Sequence, residues 1–376
     1  MATCNDNDDK VETFTTAKPK LYSKCVKCGN KASIIARIKD AMCIGCFDAY
    51  YVHKFRAALG KSRLFLNEER VLLAYSGGIN SVSLLSMVKR GLDESSHKKL
   101  QFLVDVIFID EGCLFGDTWN SENILMIENL TTLGFRFYIL KLESYLHPSL
   151  KLCIQTFDTL TIGWPVYTIH LECEKSRLLK IFESCHSSNK QQLLELIRYK
   201  LLTKFAYEFG YNKILMGDNA TRLSTQLLHG ICRGKGSLAN YDITFADTRF
   251  PGLYFCRPMR EFLAKEIVFS VNISKLKYFN FPNFDSVNRS ANKSSIFHVT
   301  EDFLAELHSL QPFTTSTVFR TGNKLSPLNT GQSNICALCM LTHEYSITNT
   351  TLCYSCQRIC DNVKGEFVTL LPILFM

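Results

Sequence analysis

The sequence predicts an α/β fold, a doubly wound parallel sheet with helices on both faces. Three apolar strand segments alternate with helical segments between residues 71 and 140, and this alternation is typical of such sheets. The second strand, FLVDVIFI at residues 102–109, is almost continuously apolar, as expected for a parallel strand buried on both faces. Ligands bind such sheets at the carboxyl ends of the strands. We therefore expect functional residues in the loops that follow the strands.

The other elements are assigned in chain order from the spacing of their apolar residues. A strand over residues 71–75 leads through a glycine turn into a helix that begins near Asn80, and a loop with a short helix is predicted over residues 147–188. Further predicted elements are helices at 47–59 and 118–133, a strand at 135–140, a helix at 191–209, a strand at 213–217, and helices at 261–273 and 301–310.

The composition favours a globular chain with a mild excess of positive charge. Hydrophobic residues make up 46% of the 376 residues, and 43 Lys and Arg against 35 Asp and Glu give a net charge of +8. This charge suits a polyanionic partner, although a solvated basic surface is the alternative. The sequence shows no signal-peptide pattern, and no apolar run reaches the roughly 18 residues of a membrane span. We expect a soluble intracellular protein with no membrane partner.

The turn after the first strand reads SGGINS and contains Ser76, Gly77, Gly78, Asn80 and Ser81. Adjacent glycines allow a sharp bend and a close approach of the backbone to a ligand. The helix that follows offers unpaired N–H groups and the positive end of its dipole to an anion. The lysine of a Walker P-loop is missing from this turn. The pattern predicts a phosphate site, and a tight turn that binds nothing is the alternative.

Two further loops follow predicted strands. Asp110 comes directly after the second strand, so it is expected at the same edge of the sheet as the glycine turn. We predict that Asp110 belongs to the nucleotide site, with an ordinary loop carboxylate as the alternative. GDNATRLS, at residues 217–224, follows the fourth strand, and Asn219 or Thr221 can cap the next helix.

Half of the sixteen cysteines form two CxxC…CxxC sets. In a long chain without a secretion signal, this spacing indicates metal binding rather than disulfides. Four thiolates suit tetrahedral Zn²⁺, and no further ligand is evident, so we predict two structural zinc sites; free buried cysteines are the alternative. The predicted ligands are Cys25, Cys28, Cys43 and Cys46 in the N-terminal set, and Cys336, Cys339, Cys353 and Cys356 in the C-terminal set.

The positions of these motifs along the chain predict the domain organisation. The first twenty residues are polar and lack apolar periodicity, as in a disordered arm. The predicted segments are 1–20, the disordered arm; 21–60, an N-terminal zinc module and helix; 61–285, the α/β domain; 286–330, a linker and helix; and 331–376, a C-terminal zinc module.

Four basic side chains are candidates for contacts with a phosphate backbone. Arg233 and Lys235 lie in the glycine-rich stretch RGKG, which is predicted as a flexible loop. Lys24 precedes Cys25, and Lys27 lies between Cys25 and Cys28. Contacts of such side chains with phosphates give affinity without sequence readout. A solvated loop is the alternative for Arg233 and Lys235.

Taken in their order along the chain, the motifs described above resemble those of a known family. The set comprises CxxC…CxxC, LLAYSGGINS, GDNATRL, RGKG, RPMREFLAKEI and a second CxxC…CxxC. It is similar to the cytoplasmic tRNA 2-thiolation protein 2 family, and its SGGxxS turn resembles the PP-loop of ATP pyrophosphatases. The resemblance implies a PP-loop fold and a heterodimer with a catalytic thiouridylase paralogue.

The resemblance also implies a reaction for this heterodimer. ATP with Mg²⁺ adenylates the C2 oxygen of wobble uridine 34 in tRNA. Sulfur from a thiocarboxylated ubiquitin-like carrier then displaces AMP. The implied products are 2-thiouridines (mcm5s2U) in the tRNAs for lysine, glutamine and glutamate.

The sequence departs from the active thiouridylases that it resembles. Asn80 stands where their SGGxDS loop has an acid, and an amide is a poorer ligand for a hard cation. Active members carry a CxxC and a further cysteine in regions that match residues 161–170 and 279–288, which contain no cysteine here. Cys256 beside Arg257 is the best remaining thiol, with a packed core cysteine as the alternative. We assign no catalytic residue.

We therefore interpret the chain as a non-catalytic or partly catalytic subunit of a tRNA sulfurtransferase complex, which supports tRNA binding and assembly. Two alternatives stay open. A self-sufficient ATP-dependent thiolase would catalyse ATP–pyrophosphate exchange alone. A zinc-stabilised scaffold with a vestigial nucleotide fold would bind neither ATP nor tRNA.

Overall fold

The computed structural model describes residues 24–36, 40–93, 99–151, 153–157, 171–281, 284, 295–325, 333–344 and 352–361. The chain divides into two units, Met1–Phe47 and Asp48–Met376. The predicted disordered arm lies outside the described residues. Within the described ranges, no helix combines the length and the apolarity that a membrane crossing requires.

The first unit contains a small antiparallel hairpin. β1 (Ile34–Ala36) pairs with β2 (Asp40–Met42). A tight turn precedes the hairpin, in which the Gly29 N–H donates to the Cys25 carbonyl at 2.9 Å. Gly29 has a φ of +74°, a left-handed conformation that glycine adopts without strain. This glycine therefore permits the short turn that carries the first two cysteines.

The second unit is built on a seven-stranded sheet. Its strands are β3 (Arg70–Ala74), β4 (Leu103–Asp110), β5 (Phe137–Lys141), β6 (Ile154–Phe157), β7 (Lys213–Leu215), β8 (Ala246–Phe250) and β9 (Leu253–Cys256). Their order is β6-β5-β4-β3-β7-β9-β8. The five central strands are parallel, and β6 and β8 are antiparallel edges. The predicted α/β class is confirmed, with an antiparallel strand added at each edge.

The sequence predicts neither edge strand, and it also leaves out the parallel strand β9. β6 and β9 have only four residues each, and β8 reads ADTRF. Asp247 of β8 is nevertheless fully buried, because the Nε of Arg249 donates to both of its carboxylate oxygens at 2.9 Å. A charged strand can be buried when its charges pair with each other. Such a strand lacks the apolar run by which strands are recognised in a sequence.

Helices cover the sheet, and several predicted helices extend further in the structure. The helix predicted from residue 301 begins five residues earlier, since Ile296 and Phe297 continue its apolar spacing. The helices are α1 (Ile44–Ser62), α2 (Ile79–Leu92), α3 (Gly112–Phe115), α4 (Asp117–Leu133), α5 (Glu172–Ser184), α6 (Ser187–Phe209), α7 (Ala220–Cys232), α8 (Ala264–Ile273), α9 (Ile296–Leu310) and α10 (Thr314–Gly322).

The C-terminal cysteines belong to the main core. β10 (Ser333–Ile335) pairs with β11 (Thr342–Glu344), and α11 (Tyr354–Asp361) follows. The four predicted C-terminal metal ligands are buried in the same hydrophobic core as Leu72 of β3 and Phe205 of α6. The C-terminal module is therefore packed into the body of the second unit.

A buried ion-pair network joins the strand ends. Arg257 is 1% exposed and donates from Nε to Asp218 Oδ2 at 3.2 Å, and from Nη2 to the Tyr199 hydroxyl at 3.0 Å. Its Nη1 donates to the Thr244 carbonyl at 3.2 Å, and Asp247 lies 3.7 Å from Nη2. A buried charge requires partners of this kind, so the network fixes the loop after β7 against β9.

Candidate functional site

The glycine turn lies at the carboxyl edge of the sheet, between β3 and α2. Its position is fixed by the Tyr75 N–H, which donates to the Ile107 carbonyl of β4 at 2.8 Å. Ser81 closes the turn because its hydroxyl donates to the Gly78 carbonyl at 2.9 Å and accepts from the Ser76 N–H at 3.2 Å. The turn therefore has the strand-to-helix geometry that the sequence predicts for a phosphate site.

The loop after β7 lies directly against this turn. A Cβ placed on Gly217 would lie 3.1 Å from the Ser81 nitrogen, so only glycine fits there without a shift. Asn219 donates from Nδ2 to Asn80 Oδ1 at 3.0 Å and accepts at Oδ1 from the Arg222 N–H at 2.9 Å, which makes it the N-cap of α7. Asn80 thus contacts a neighbouring loop at the position where the active thiouridylases have an acid.

Asp110 ends β4, the strand that pairs with β3. Its Oδ1 accepts a hydrogen bond from the Gly112 N–H at 2.9 Å and so shapes the start of α3. The structure thus places five predicted residues in one turn and Asp110 at the end of the adjacent strand. Their role in binding a nucleotide stays a prediction.

Aromatic side chains cover the glycine turn. The Phe279 N–H donates to the Gly77 carbonyl at 2.9 Å. A Cβ on Gly77, whose φ is +74°, would lie 2.7 Å from Cε2 of Phe281, so this ring packs directly on the turn. The Phe281 ring centroid lies 4.3 Å from that of Trp119 and 5.6 Å from that of Phe108. On this side, rings fill the space beside the turn.

This aromatic cover is not predicted from the sequence, where residues 279–288 are interpreted through their lack of cysteine. The stretch FNFPNF at 279–284 carries three phenylalanines, and that repetition is the signal in the sequence. Only the tertiary structure reveals that the ring of Phe281 contacts Gly77, which is about 200 residues away in the chain.

Four of the described thiols outside the two cysteine sets have a raised pKa, which makes them poor nucleophiles. Burial, followed by the charge of Glu143, raises the pKa of Cys113 in α3, a residue that sequence reasoning missed. Burial also raises the pKa of Cys256 to about 12, and Cys256 is fully buried. The same cause raises the pKa of Cys153 and Cys185 to about 11. A reactive cysteine needs a lowered pKa, so Cys256 fits the alternative of a packed core residue.

The N-terminal set forms a four-thiol cluster. The Sγ atoms of Cys25, Cys28, Cys43 and Cys46 all lie within 4.8 Å of one another. The Sγ atoms of Cys28 and Cys43 are 3.6 Å apart. A tetrahedral metal with bonds of about 2.3 Å to sulfur would place its ligands about 3.8 Å apart. The donor set therefore fits one tetrahedral metal ion.

The C-terminal set forms a second cluster, which is more deeply buried. Its four Sγ atoms also lie within 4.8 Å of one another, and those of Cys339 and Cys353 are 3.7 Å apart. No ligand is more than 7% exposed. Hydrogen bonds among the four thiols lower the pKa of Cys336 and raise the pKa of Cys339 and of Cys356, so the four groups share their protons unequally. Both cysteine sets thus could hold a metal.

The RGKG loop packs under the C-terminal cluster, which differs from the expected flexible loop. A Cβ on Gly234 would lie 2.6 Å from the ring of Tyr354 in α11. Arg233 is 9% exposed and donates from Nη2 to Asn189 Oδ1 at 2.9 Å. Lys235 donates to Asp242 at 2.5 Å. Direct contact of these two side chains with tRNA phosphates does not fit this packing, because their charged groups face protein partners.

A small cavity of about 60 Å³ lies beside this loop, between α6, α7 and the C-terminal cluster. Its walls include His229, Arg233, Lys235 and Cys356. Burial, and then the positive charge of Arg233, lowers the pKa of His229 to about 4. The cavity has room for a few water molecules only, so it cannot admit a nucleotide.

The sheet order, the glycine turn and the two four-thiol clusters define a PP-loop α/β protein with two candidate metal sites. This fold is similar to that of U34-tRNA thiolase NcsA from Methanococcus maripaludis, a structure that contains a 4Fe-4S cluster. The TM-score is 0.60 at 17% identity, over 89% of this chain and 95% of that chain. At this identity, the likeness defines the fold alone.

Relatives define the family more closely. Residues 295–350 match the family model described as Cytoplasmic tRNA 2-thiolation protein 2. The protein of that name from Danio rerio is 32% identical over 348 residues, which cover 83% of this chain and 69% of the relative. The Homo sapiens protein is 30% identical over 391 residues, which cover 90% of this chain and 76% of the relative. The chain belongs to the cytoplasmic tRNA 2-thiolation protein 2 family.

Proposed function

We propose that this chain is the partner subunit of a cytoplasmic tRNA thiolation enzyme. In the proposed complex, a catalytic thiouridylase paralogue adenylates wobble uridine 34 with ATP and Mg²⁺. A thiocarboxylated ubiquitin-like carrier supplies the sulfur, and the products are the 2-thiouridines of the tRNAs for lysine, glutamine and glutamate. Family membership and the PP-loop fold support a role in tRNA 2-thiolation.

Three observations favour a supporting rather than a catalytic role. The turn that would hold the nucleotide phosphates carries the Phe281 ring on Gly77, and Asn80 replaces an acid. In addition, burial raises the pKa of Cys256, the last residue of β9, and of Cys113, three residues after β4. The chain thus offers neither an uncovered glycine turn nor a ready thiolate among these residues. We therefore assign the chemistry to the paralogue.

We propose zinc for both cysteine clusters, because four thiolates at tetrahedral spacing are the donor set that structural zinc prefers. The ligands would be the N-terminal set, Cys25, Cys28, Cys43 and Cys46, and the C-terminal set, Cys336, Cys339, Cys353 and Cys356. With all four positions taken by protein ligands, such an ion would stabilise structure and would not bind substrate.

Reconstitution tests the proposed function. The chain, its thiouridylase paralogue from the same organism and the pair are each incubated with MgATP, the sulfur carrier and unmodified tRNA. We expect 2-thiouridine from the pair only, no ATP–pyrophosphate exchange by the isolated chain, and no shift of its thermal unfolding with MgATP, because Phe281 covers the glycine turn.

The outcomes separate the alternatives. Exchange activity or thiolation by the chain alone would identify a self-sufficient thiolase. A paralogue that is fully active alone, and whose tRNA affinity the chain leaves unchanged, would identify a scaffold. A chain with Asn80→Asp serves as a control, since it restores the acid of the SGGxDS pattern while Phe281 stays in place.

Lys24 and Lys27 are the phosphate contacts that we retain in this proposal, since both are exposed. Replacement of both by alanine is expected to weaken tRNA binding by the pair and to reduce the slope of log affinity against log salt by roughly 1–2, since each lost phosphate contact removes about 0.7–0.9. Affinity is measured by filter binding between about 50 and 200 mM salt.

Arg233→Ala with Lys235→Ala removes the same charge from internal positions and is the matched control. We expect it to leave the salt slope unchanged, because both side chains bind protein groups. A reduced slope in this control, with an unchanged slope for the Lys24 and Lys27 variant, would return the tRNA contact to the RGKG loop.

A further inference from the structure

The C-terminal cysteine cluster lies inside the protein, whereas the N-terminal cluster reaches the surface. All four C-terminal ligands are buried, while Cys28 is exposed and Cys43 and Cys46 are half-buried. Four thiolates around one divalent ion leave two negative charges uncompensated. Water and salt screen such charge at a surface, but a buried charge requires a partner within the protein. The C-terminal cluster therefore needs a cation beside it.

Lys200 of α6 supplies such a cation. Its Nζ donates to the carbonyl oxygen of Ala337 at 2.8 Å, and Ala337 follows Cys336 in the turn that leads to Cys339. Lys200 also lines the small cavity whose walls include Cys339 and Cys356. The ammonium group thus lies against the backbone between two predicted ligands.

The thiolates and the ammonium group stabilise each other. Burial lowers the pKa of Lys200, and the negative charge of Cys336, Cys339 and Cys356 opposes this effect. Because the attraction is mutual, the ammonium group also favours the thiolate forms that bind a metal. Groups that support metal ligands in this way commonly contribute roughly 10–100-fold to metal affinity.

Other contacts of α6 fix the position of this lysine. Gln192 donates from Nε2 to the Ser355 hydroxyl at 3.1 Å, and Asn189 donates from Nδ2 to the Arg358 carbonyl at 3.4 Å. Residues 189, 192 and 200 have the spacing that places side chains on one side of a helix. One side of α6 therefore contacts both α11 and the turn between the first two C-terminal cysteines.

We propose that Lys200 is a positioning residue for the C-terminal metal ion. It holds the turn between Cys336 and Cys339 through the Ala337 carbonyl, and its charge compensates part of the negative charge of the thiolates. This inference rests on the metal site proposed above. Without the ammonium group, the buried thiolates lose a cation and bind the ion more weakly.

Zinc affinity of the full-length chain tests this role, measured by competition with a chromophoric zinc chelator. Lys200→Met keeps the length of the side chain and removes its charge and its donors. We expect it to weaken zinc binding at the C-terminal site by roughly 10–100-fold. Lys200→Arg should recover most of the affinity, because it restores a charged donor. Cys356→Ser, which removes a C-terminal ligand, identifies the signal of the N-terminal site.

Lys204→Met is the matched control on the same helix. The Nζ of Lys204 donates to the His147 carbonyl at 2.9 Å, so this variant removes the same kind of contact from another segment. We expect it to leave both zinc affinities unchanged. Thermal unfolding adds a second measurement, in which wild type and Lys200→Met should differ more with zinc than after chelation, because only the bound ion adds the coupled stability.

The outcomes separate this inference from the proposed function. Unchanged C-terminal zinc affinity in Lys200→Met would overturn the role of Lys200 and leave the metal site intact. Weaker binding at both sites, or an equal loss in Lys204→Met, would indicate a general loss of folding stability and would also overturn it. A wild-type chain that binds no ion at the C-terminal site would overturn the proposed metal site and this inference together.

Discussion

Arg257→Ala is expected to destabilise the folded chain by about 3–5 kcal/mol, because it leaves buried carboxylates without their cation. Asp218 loses its contact with the Arg257 Nε at 3.2 Å, and the Tyr199 hydroxyl and the Thr244 carbonyl lose donors. Urea unfolding followed by circular dichroism measures the loss. An effect below about 1 kcal/mol would contradict the assignment of Arg257 as the centre of the network.

A surface ion pair provides the control for this prediction. Arg90 donates from Nη1 and Nη2 to the two carboxylate oxygens of Asp48 at 2.8 Å. The side chains of this pair are 41% and 37% exposed, so Arg90→Ala should cost at most about 1 kcal/mol. Arg257→Met combined with Asp218→Asn should recover part of the loss, because it removes a buried charge together with its partner.

Cys356→Ser is expected to remove one of the two proposed metal ions per chain and to expose the RGKG loop. Cys356 is 1% exposed and lies on α11, the helix whose Tyr354 ring packs on Gly234. The Asn189 side chain further links this helix to the loop, because it donates to the Arg358 carbonyl at 3.4 Å and accepts from Arg233. Since metal binding by structural cysteine sites is coupled to folding, loss of the ion should loosen α11 and the loop beneath it.

Metal analysis and limited trypsin digestion measure the two effects. We expect the metal content to fall from two ions per chain to one and cleavage after Arg233 or Lys235 to become at least about tenfold faster, because protease access follows local opening. Cys173→Ser alters an exposed cysteine of α5 and should change neither quantity. An unchanged metal content in Cys356→Ser would refute the C-terminal site, and unchanged cleavage would refute its coupling to the loop.

Much of the architecture follows from local sequence. The alternating apolar segments predict four of the five parallel strands with helices between them, because burial on two faces demands continuous apolar strands. The fifth parallel strand, β9, is not predicted. The SGGINS turn predicts its own geometry, since Gly77 adopts a φ of +74° and Ser81 caps the bend. The CxxC spacing likewise brings the four thiols of each cluster close to one another, because a short turn constrains each pair of cysteines locally.

Other properties depend on contacts between residues far apart in the chain. The sequence places RGKG among the basic loops, but the C-terminal module buries Arg233 and packs Tyr354 on Gly234. The sequence identifies a glycine turn, but only the tertiary structure places the Phe281 ring on Gly77. Local sequence determined the fold class and the two metal-ligand sets, because backbone geometry and apolar periodicity act over a few residues. Tertiary structure decided which groups stay accessible, because accessibility depends on the packing of distant segments.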